Sequence, residues 1–259
     1  MTRRHFVFSC ESARLVATLD DAPGDAALLL VSGGNETRAG AWNGQARLAA
    51  LVADAGFPVL RFDRRGVGDS EGENGGFRSG GPDIRAALSA LRRECPQVRR
   101  VVGFGNCDAA SALMLAEGAG LDALVLSNPW TIEGGAEEAP AEVVRDHYRR
   151  RLGDPAAIKR LLTGKVAIGG LARSLLAAMR PAPAETLGLA REIAQGLAAF
   201  SGEVRLLVAE RDRTGQAFLA NWDRADARLR RCPEATHSYV ELAAQEWLLA
   251  QVLGLLNKA

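Results

Sequence analysis

The stretch from Val98 to Ser111 constrains this chain most, because it prescribes a strand, a tight turn and a helix in immediate succession. Val98-Arg99-Arg100-Val101-Val102 reads as a short apolar strand, and Ala109-Ala110-Ser111 opens an Ala-rich helix. Between them, Gly105-Asn106-Cys107-Asp108-Ala109 has the small-x-nucleophile-x-small pattern of a nucleophile elbow. Such a turn crowds the positions two before and two after its tip against the adjoining strand and helix. Gly105 and Ala109 meet that demand around Cys107. Moving the register by one would put Asp108 at the tip, but Asn106 would then stand where a small residue is required. The register therefore selects Cys107 as the candidate nucleophile. At the head of a helix, the positive end of the backbone dipole favours negative charge at that position.

The same alternation runs through the rest of the chain. Residues 6–8 and 14–19 alternate apolar and polar around a polar turn, which predicts an antiparallel hairpin. Residues 26–31 form a continuous apolar run ending in Ser32-Gly33-Gly34, and a helical pattern follows over 45–55. A second buried strand, 57–62, empties into the Gly-rich loop from Asp63 to Ser70. A helix over 82–93, a strand over 98–104, a helix over 109–117 and a strand over 123–127 complete the first part. After Asn128-Pro129-Trp130 the rhythm stops, and it resumes with a strand over 204–208, a helix over 218–230, a short element near Thr236 and a helix over 247–256. Strands alternating with helices predict an α/β fold with right-handed crossovers and a mostly parallel sheet covered on both faces. Residues 1–130 and 201–259 make up the expected core. The interruption at 131–200, with Leu171, Leu175 and Met179 at helical spacing, predicts a helical cap subdomain above the carboxyl ends of the strands.

A thiol nucleophile needs a base and an acid that orients the base. Of the three histidines, His5 falls in the hairpin and His147 in the expected cap, whereas His237 sits in a polar loop before the last helix. The strand over 204–208 ends in Ala209-Glu210-Arg211-Asp212, which offers Asp212 as the acid and Glu210 as its runner-up. The chain order Cys107, Asp212, His237 is that of nucleophile, acid and base. The oxyanion of a tetrahedral intermediate needs donors, and the backbone N–H of Asp108 supplies one. A second is expected from the loop Ser32-Gly33-Gly34-Asn35, with Gly34 ahead of Asn35.

Other function classes find little support. Lys plus Arg number 32 against 31 for Asp plus Glu, so no global charge attracts nucleic acid or an anionic membrane. Cys10, Cys95, Cys107 and Cys232 are scattered, without the spacing of a metal site or a disulfide framework. Gly103-x-Gly105-x-x-Asp108 lacks the third Gly or Ala of a dinucleotide fingerprint, and Gly164-Lys165 lacks the flanking residues of a P-loop. No cofactor and no metal are expected. The apolar run at the amino terminus is too short for a signal-peptide core, and no uncharged stretch reaches the ~18 residues of a membrane helix. These features predict a cytoplasmic protein with reduced thiols, no integral membrane segment and a small-molecule acyl substrate.

On Ser32-Gly33-Gly34, the loop from Asp63 to Ser70, the elbow at Cys107, Asp212 and Thr236-His237-Ser238, the chain resembles the α/β-hydrolase superfamily over nearly its whole length. The resemblance implies the α/β-hydrolase fold, with the Asp63 loop shaping the floor of the site. More narrowly, the chain resembles the hydrolase 1 group associated with the exosortase A system of bacteria, which implies a setting of exopolysaccharide production and surface-protein sorting. Its Cys-Asp-His set is similar to that of dienelactone hydrolases. The chain departs from the common pattern at Cys107, at Ala109 in place of the last Gly, and at Ser32 in place of a His. Two functions are compatible with this reading. One is a hydrolase or acyltransferase that forms a thioester on Cys107 from an ester, lactone or thioester. The other is a non-catalytic binding or scaffold protein that kept the fold.

Overall fold

Leu28, Leu29 and Leu30 show how the interior is divided. Successive side chains of a strand point to opposite faces, so Leu28 and Leu30 enter one apolar cluster while Leu29 and Val31 enter another. A strand buried on both sides is continuously apolar, as expected for a parallel sheet sandwiched between helices. The computed structural model describes residues 2–132 and 186–258.

In chain order the strands are β1 (Thr2–Cys10), β2 (Ala13–Asp21), β3 (Ala26–Val31), β4 (Val59–Phe62), β5 (Arg100–Asn106), β6 (Ala123–Ser127), β7 (Glu203–Ala209) and β8 (Leu229–Cys232). The helices are α1 (Gly44–Asp54), α2 (Gly81–Glu94), α3 (Asp108–Leu115), α4 (Thr186–Ala199), α5 (Arg213–Ala220) and α6 (Leu242–Leu256). The strands form one eight-stranded sheet in the order β1-β2-β4-β3-β5-β6-β7-β8. The β1–β2 hairpin joins β4 antiparallel, and every pairing from β4 to β8 is parallel. Helices α2, α3 and α4 cover one face through Ile84, Leu91, Leu113, Met114, Ile193 and Leu197. Helices α1 and α6 cover the other through Leu48, Val52, Leu248, Val252 and Leu255. The loops that follow β3, β4, β5, β6 and β7 therefore gather at the carboxyl ends of the strands, where open α/β sheets place their sites.

Two expectations need correction. The helix expected over 218–230 lies earlier, at Arg213–Ala220, because Asp212 caps it by accepting from the N–H groups of Thr214 (3.2 Å) and Gly215 (3.0 Å). The end of the expected span is strand β8, whose Arg230 and Arg231 are exposed. It lies at the edge of the sheet, where charged side chains are tolerated and guard against pairing with other chains.

The second correction concerns the expected 131–200 cap, whose last part is a helix of the core. In α4, Leu189, Ile193 and Leu197 are buried at helical spacing, and Gly196 lies where any Cβ would run into the Met114 carbonyl at the end of α3. The Leu171, Leu175 and Met179 stripe and His147 lie outside the described residues. Among the described residues, no helix is long and apolar enough to cross a membrane, and no group of three His, Cys, Asp or Glu side chains could hold a metal ion.

Candidate active site

Strand β5 delivers Cys107 into a sharp turn with φ 62° and ψ −127°. A non-glycine residue at positive φ is strained, and it persists only where its surroundings fix it. Here the Cys107 N–H donates to the Ser127 carbonyl (2.9 Å), while the Cys107 carbonyl accepts from the N–H groups of Ala110 (3.1 Å) and Trp130 (3.2 Å). Gly105 explains the need for a small residue two positions earlier. A Cβ there would stand 2.7 Å from the Ala109 carbonyl carbon and the Ala110 nitrogen. Cys107 is partly exposed, whereas Cys10, Cys95 and Cys232 are buried. Burial pushes the Cys10 and Cys95 thiols up to about 11, with a hydrogen bond to Asp83 adding to the effect at Cys10; burial raises Cys232 as well.

Asp212, at the carboxyl end of β7, accepts from His237 Nδ1 at 2.9 Å. Its backbone N–H turns back to the Ala209 carbonyl (3.0 Å), and the carboxylate is buried between the His237 ring and the amino end of α5. Cys107 lies close enough to the His237 ring to raise its pKa as well. With Nδ1 engaged by Asp212, Nε2 is the ring nitrogen left for Cys107. The Asp212 hydrogen bond, followed by the proximity of Cys107, pushes the imidazole up to about 10. At neutral pH a ring raised this far is an imidazolium paired with the Asp212 carboxylate. Glu210 does not join this set and stands 3.9 Å from Arg231. His5 is also apart, bonded in the β1–β2 hairpin to Thr18 Oγ1 at 2.9 Å.

Several positioning residues escape sequence reasoning. The buried Asn128, at φ 44° after β6, accepts from the Ala209 N–H (2.8 Å) and donates to Asn106 Oδ1 (3.0 Å) and Ser127 Oγ (3.2 Å). Asn106 in turn donates to the His237 carbonyl (3.1 Å), and Ser127 Oγ lies 2.9 Å from the Tyr239 hydroxyl. One polar chain thus fixes the end of β5, the loop after β7 and the loop bearing His237 relative to one another. From the opposite side, Trp42 Nε1 donates to the Ser238 carbonyl at 3.0 Å. The only sequence signals for these residues are polar side chains at the ends of predicted strands. Beside them runs a groove lined by Trp42, Leu48, Phe104 and Tyr239 together with Glu36 and Arg47, and it reaches Asn106 and Ser238, the chain neighbours of Cys107 and His237.

The Gly33-Gly34 loop lies against the elbow. A Cβ on Gly33 would meet Asp108 Oδ1 at 2.6 Å and the Asn106 carbonyl oxygen at 2.8 Å. The Gly34 N–H, expected as a free oxyanion donor, instead donates to Asp108 Oδ1 at 2.7 Å. Arg64 donates to the Gly34 carbonyl and stands 4.0 Å from Asp108 Oδ2. Asn35, the second choice for the donor, accepts from Asn74 through its side chain at 2.8 Å. In the floor loop, the Asp63 carboxylate accepts from the backbone N–H groups of Arg38 (2.5 Å) and Asp69 (3.0 Å) and pairs with the Arg38 guanidinium.

A strained elbow and an acid–histidine pair, both at the carboxyl ends of a mostly parallel sheet, are the parts of a hydrolase. Residues 28–251 match the model of the alpha/beta hydrolase family, and the chain belongs to that family. An esterase of Pyrococcus furiosus shares the fold with a TM-score of 0.64 at 15% identity, over 99% of this chain and 91% of that one. A proline iminopeptidase of Mycobacterium smegmatis gives 0.62 at 17% identity, over 98% of both chains. The protein Est1E of Butyrivibrio proteoclasticus, solved with ferulic acid bound, gives 0.58 at 16% identity, over 96% of this chain and 99% of that one. No curated protein matches the sequence.

Proposed function

We propose that this chain cleaves or transfers an acyl group from an ester, lactone or thioester through a covalent thioester on Cys107. The observation that carries the proposal is the Asp212–His237 hydrogen bond beside Cys107 at the tip of the elbow. With the Cys107 proton carried by His237, the sulfur electron pair attacks the acyl carbon, and the carbonyl π pair moves to oxygen. Collapse of the tetrahedral species re-forms C=O and expels the alcohol or thiol, which takes its proton from His237. Water or a second acceptor then adds to the thioester as His237 removes its proton, and collapse returns the sulfur to Cys107. Asp212 keeps the imidazole in the tautomer and orientation that both half-reactions need. Thiolate is a better leaving group than an amide nitrogen, which favours oxygen and sulfur esters over amides as substrates. The mostly apolar groove beside Asn106 and Ser238 suits an acyl chain.

The scaffold reading fits less well. A protein that retained only the fold has no use for a buried carboxylate held on an imidazole that reaches a thiol. The resemblance to the exosortase A-associated group supports a setting of exopolysaccharide production, and three buried free thiols suit a reducing cytoplasm. The test is intact-mass analysis with a panel of esters, lactones and acyl thioesters. Wild type gains one acyl mass that maps to Cys107, and Cys107→Ala gains none. Full turnover by Cys107→Ala would sink the assignment.

A further inference from the structure

The carboxylate of Asp108 stands where the proposed chemistry needs an open donor. The Gly34 N–H points at it from 2.7 Å, and the same oxygen lies so close to Gly33 that a Cβ there would approach it to 2.6 Å. The position is therefore shaped to receive a negatively charged oxygen, and a side chain of this chain already supplies one. Arg64 adds a second observation. Its guanidinium is buried and donates to the Gly34 carbonyl, its Nη2 is 4.0 Å from Asp108 Oδ2, and its Nε has no hydrogen-bond partner. A buried cation with one unpaired N–H thus stands beside both the Gly34 carbonyl and the Asp108 carboxylate.

Resting on the acyl-transfer reading above, we propose that Asp108 is a specificity-determining residue whose carboxylate occupies the Gly34 oxyanion donor, so that an acyl oxygen must displace it toward Arg64. Until it moves, the backbone N–H of Asp108 is the one donor left from the expected pair. Acyl groups differ in how much they need the second donor. A thioester carbonyl is activated and tolerates a poorly stabilised oxyanion, whereas an alkyl ester depends on full stabilisation. The occupied donor therefore selects for thioesters over alkyl esters of the same acyl chain.

The experiment compares wild type, Asp108→Asn and Asp108→Ala in three single-turnover reactions of Cys107. These are acylation by an alkyl ester, acylation by a thioester of the same acyl group, and alkylation by iodoacetamide. Alkylation passes through no oxyanion, so the ratio of acylation to alkylation isolates the donor from changes in thiol reactivity or folding. Loss of one oxyanion donor costs about 10²–10³ in rate elsewhere, and releasing an occupied one is expected to raise the alkyl-ester ratio roughly tenfold or more in Asp108→Ala. The gain is smaller in Asp108→Asn, which keeps an acceptor oxygen without the charge, and smaller for the thioester. If Asp108→Ala does not fold, the ratio in Asp108→Asn must still rise.

An unchanged or reduced ratio in the variants, with wild type acylated normally, overturns the role of Asp108 and leaves the proposed function standing. Alkylation of all three proteins with no acylation of any overturns the proposed function itself, and this inference with it.

Discussion

Replacing Asp212 with Asn removes the charge that His237 leans on while keeping a side chain able to cap α5. The imidazole is pushed up to about 10 from an ordinary 6.5, first by Asp212 and then by Cys107. In the proposed reaction the ring below its pKa is an imidazolium that supplies the leaving-group proton; above it, that proton is gone. Wild-type kcat/KM should therefore fall on the alkaline side only near pH 10, and Asp212→Asn should bring that limb down toward 6.5. At about pH 8.5 a ring titrating near 10 is almost wholly protonated and one titrating near 6.5 is about 1% protonated, a difference of roughly a hundredfold. That figure is an upper bound, because the Cys107 contribution survives and the His237 side chain is 37% exposed to screening solvent. A loss of at least tenfold at about pH 8.5 that shrinks toward about pH 5.5 is the expected pattern.

The same group links stability to pH. Its raised folded-state pKa stabilises the fold fully below 6.5, and the contribution fades as pH rises and is lost through about 10. The Tm advantage of wild type over Asp212→Asn should narrow across that window. The assays are a pH profile of thioester hydrolysis and thermal melts of both proteins. An alkaline limb that stays in place in Asp212→Asn would refute the role assigned to the pair.

Two further perturbations test the scaffold under the site. Gly105→Ala drives a methyl group against the backbone of Ala109 and Ala110. It should lower stability by about 1–3 kcal/mol in urea titrations and abolish acylation of Cys107. Asn128→Ala strips a partner from the buried Ala209 N–H and leaves alanine at φ 44°. A loss of about 2–4 kcal/mol is expected from one orphaned donor, two missing hydrogen bonds and the strained backbone. A concurrent fall in kcat would show that Asn106 has loosened its hold on the His237 loop, and wild-type kcat in a destabilised Asn128→Ala would show that it has not.

The legibility of this protein in its sequence followed the range of the interactions. Residues 26–31 and 123–126 are unbroken apolar runs, and the strands fall at those positions. The helix over 218–230 is where periodicity misleads, since Arg228, Arg230 and Arg231 resemble a solvated helix face, whereas Arg228 lies in a turn and Arg230 and Arg231 line an edge strand that needs no apolar outer side. Asp212 carries the missing signal, because an acid just before a short amphipathic stretch is a helix cap, and that places the start at Arg213. Chain order brings out Cys107, Asp212 and His237 because each sits at the end of a recognisable element. Asn106, Asn128, Ser127 and Tyr239 meet only across loops from distant parts of the chain. The fold of the Asp108 side chain onto Gly34, 74 residues away, has no counterpart in local pattern.

The burial of Cys10, Cys95 and Cys232 reaches beyond packing. Each of these thiols is enclosed and held protonated well above neutral pH, while Cys107 opens to solvent beside an imidazolium. An ordinary thiol reagent at neutral pH therefore becomes a single-address label on this chain, without engineering away the other three sulfurs. In a crude extract, protection of that address would reveal when a native metabolite occupies the site, so the protein can be used as bait for its own substrate.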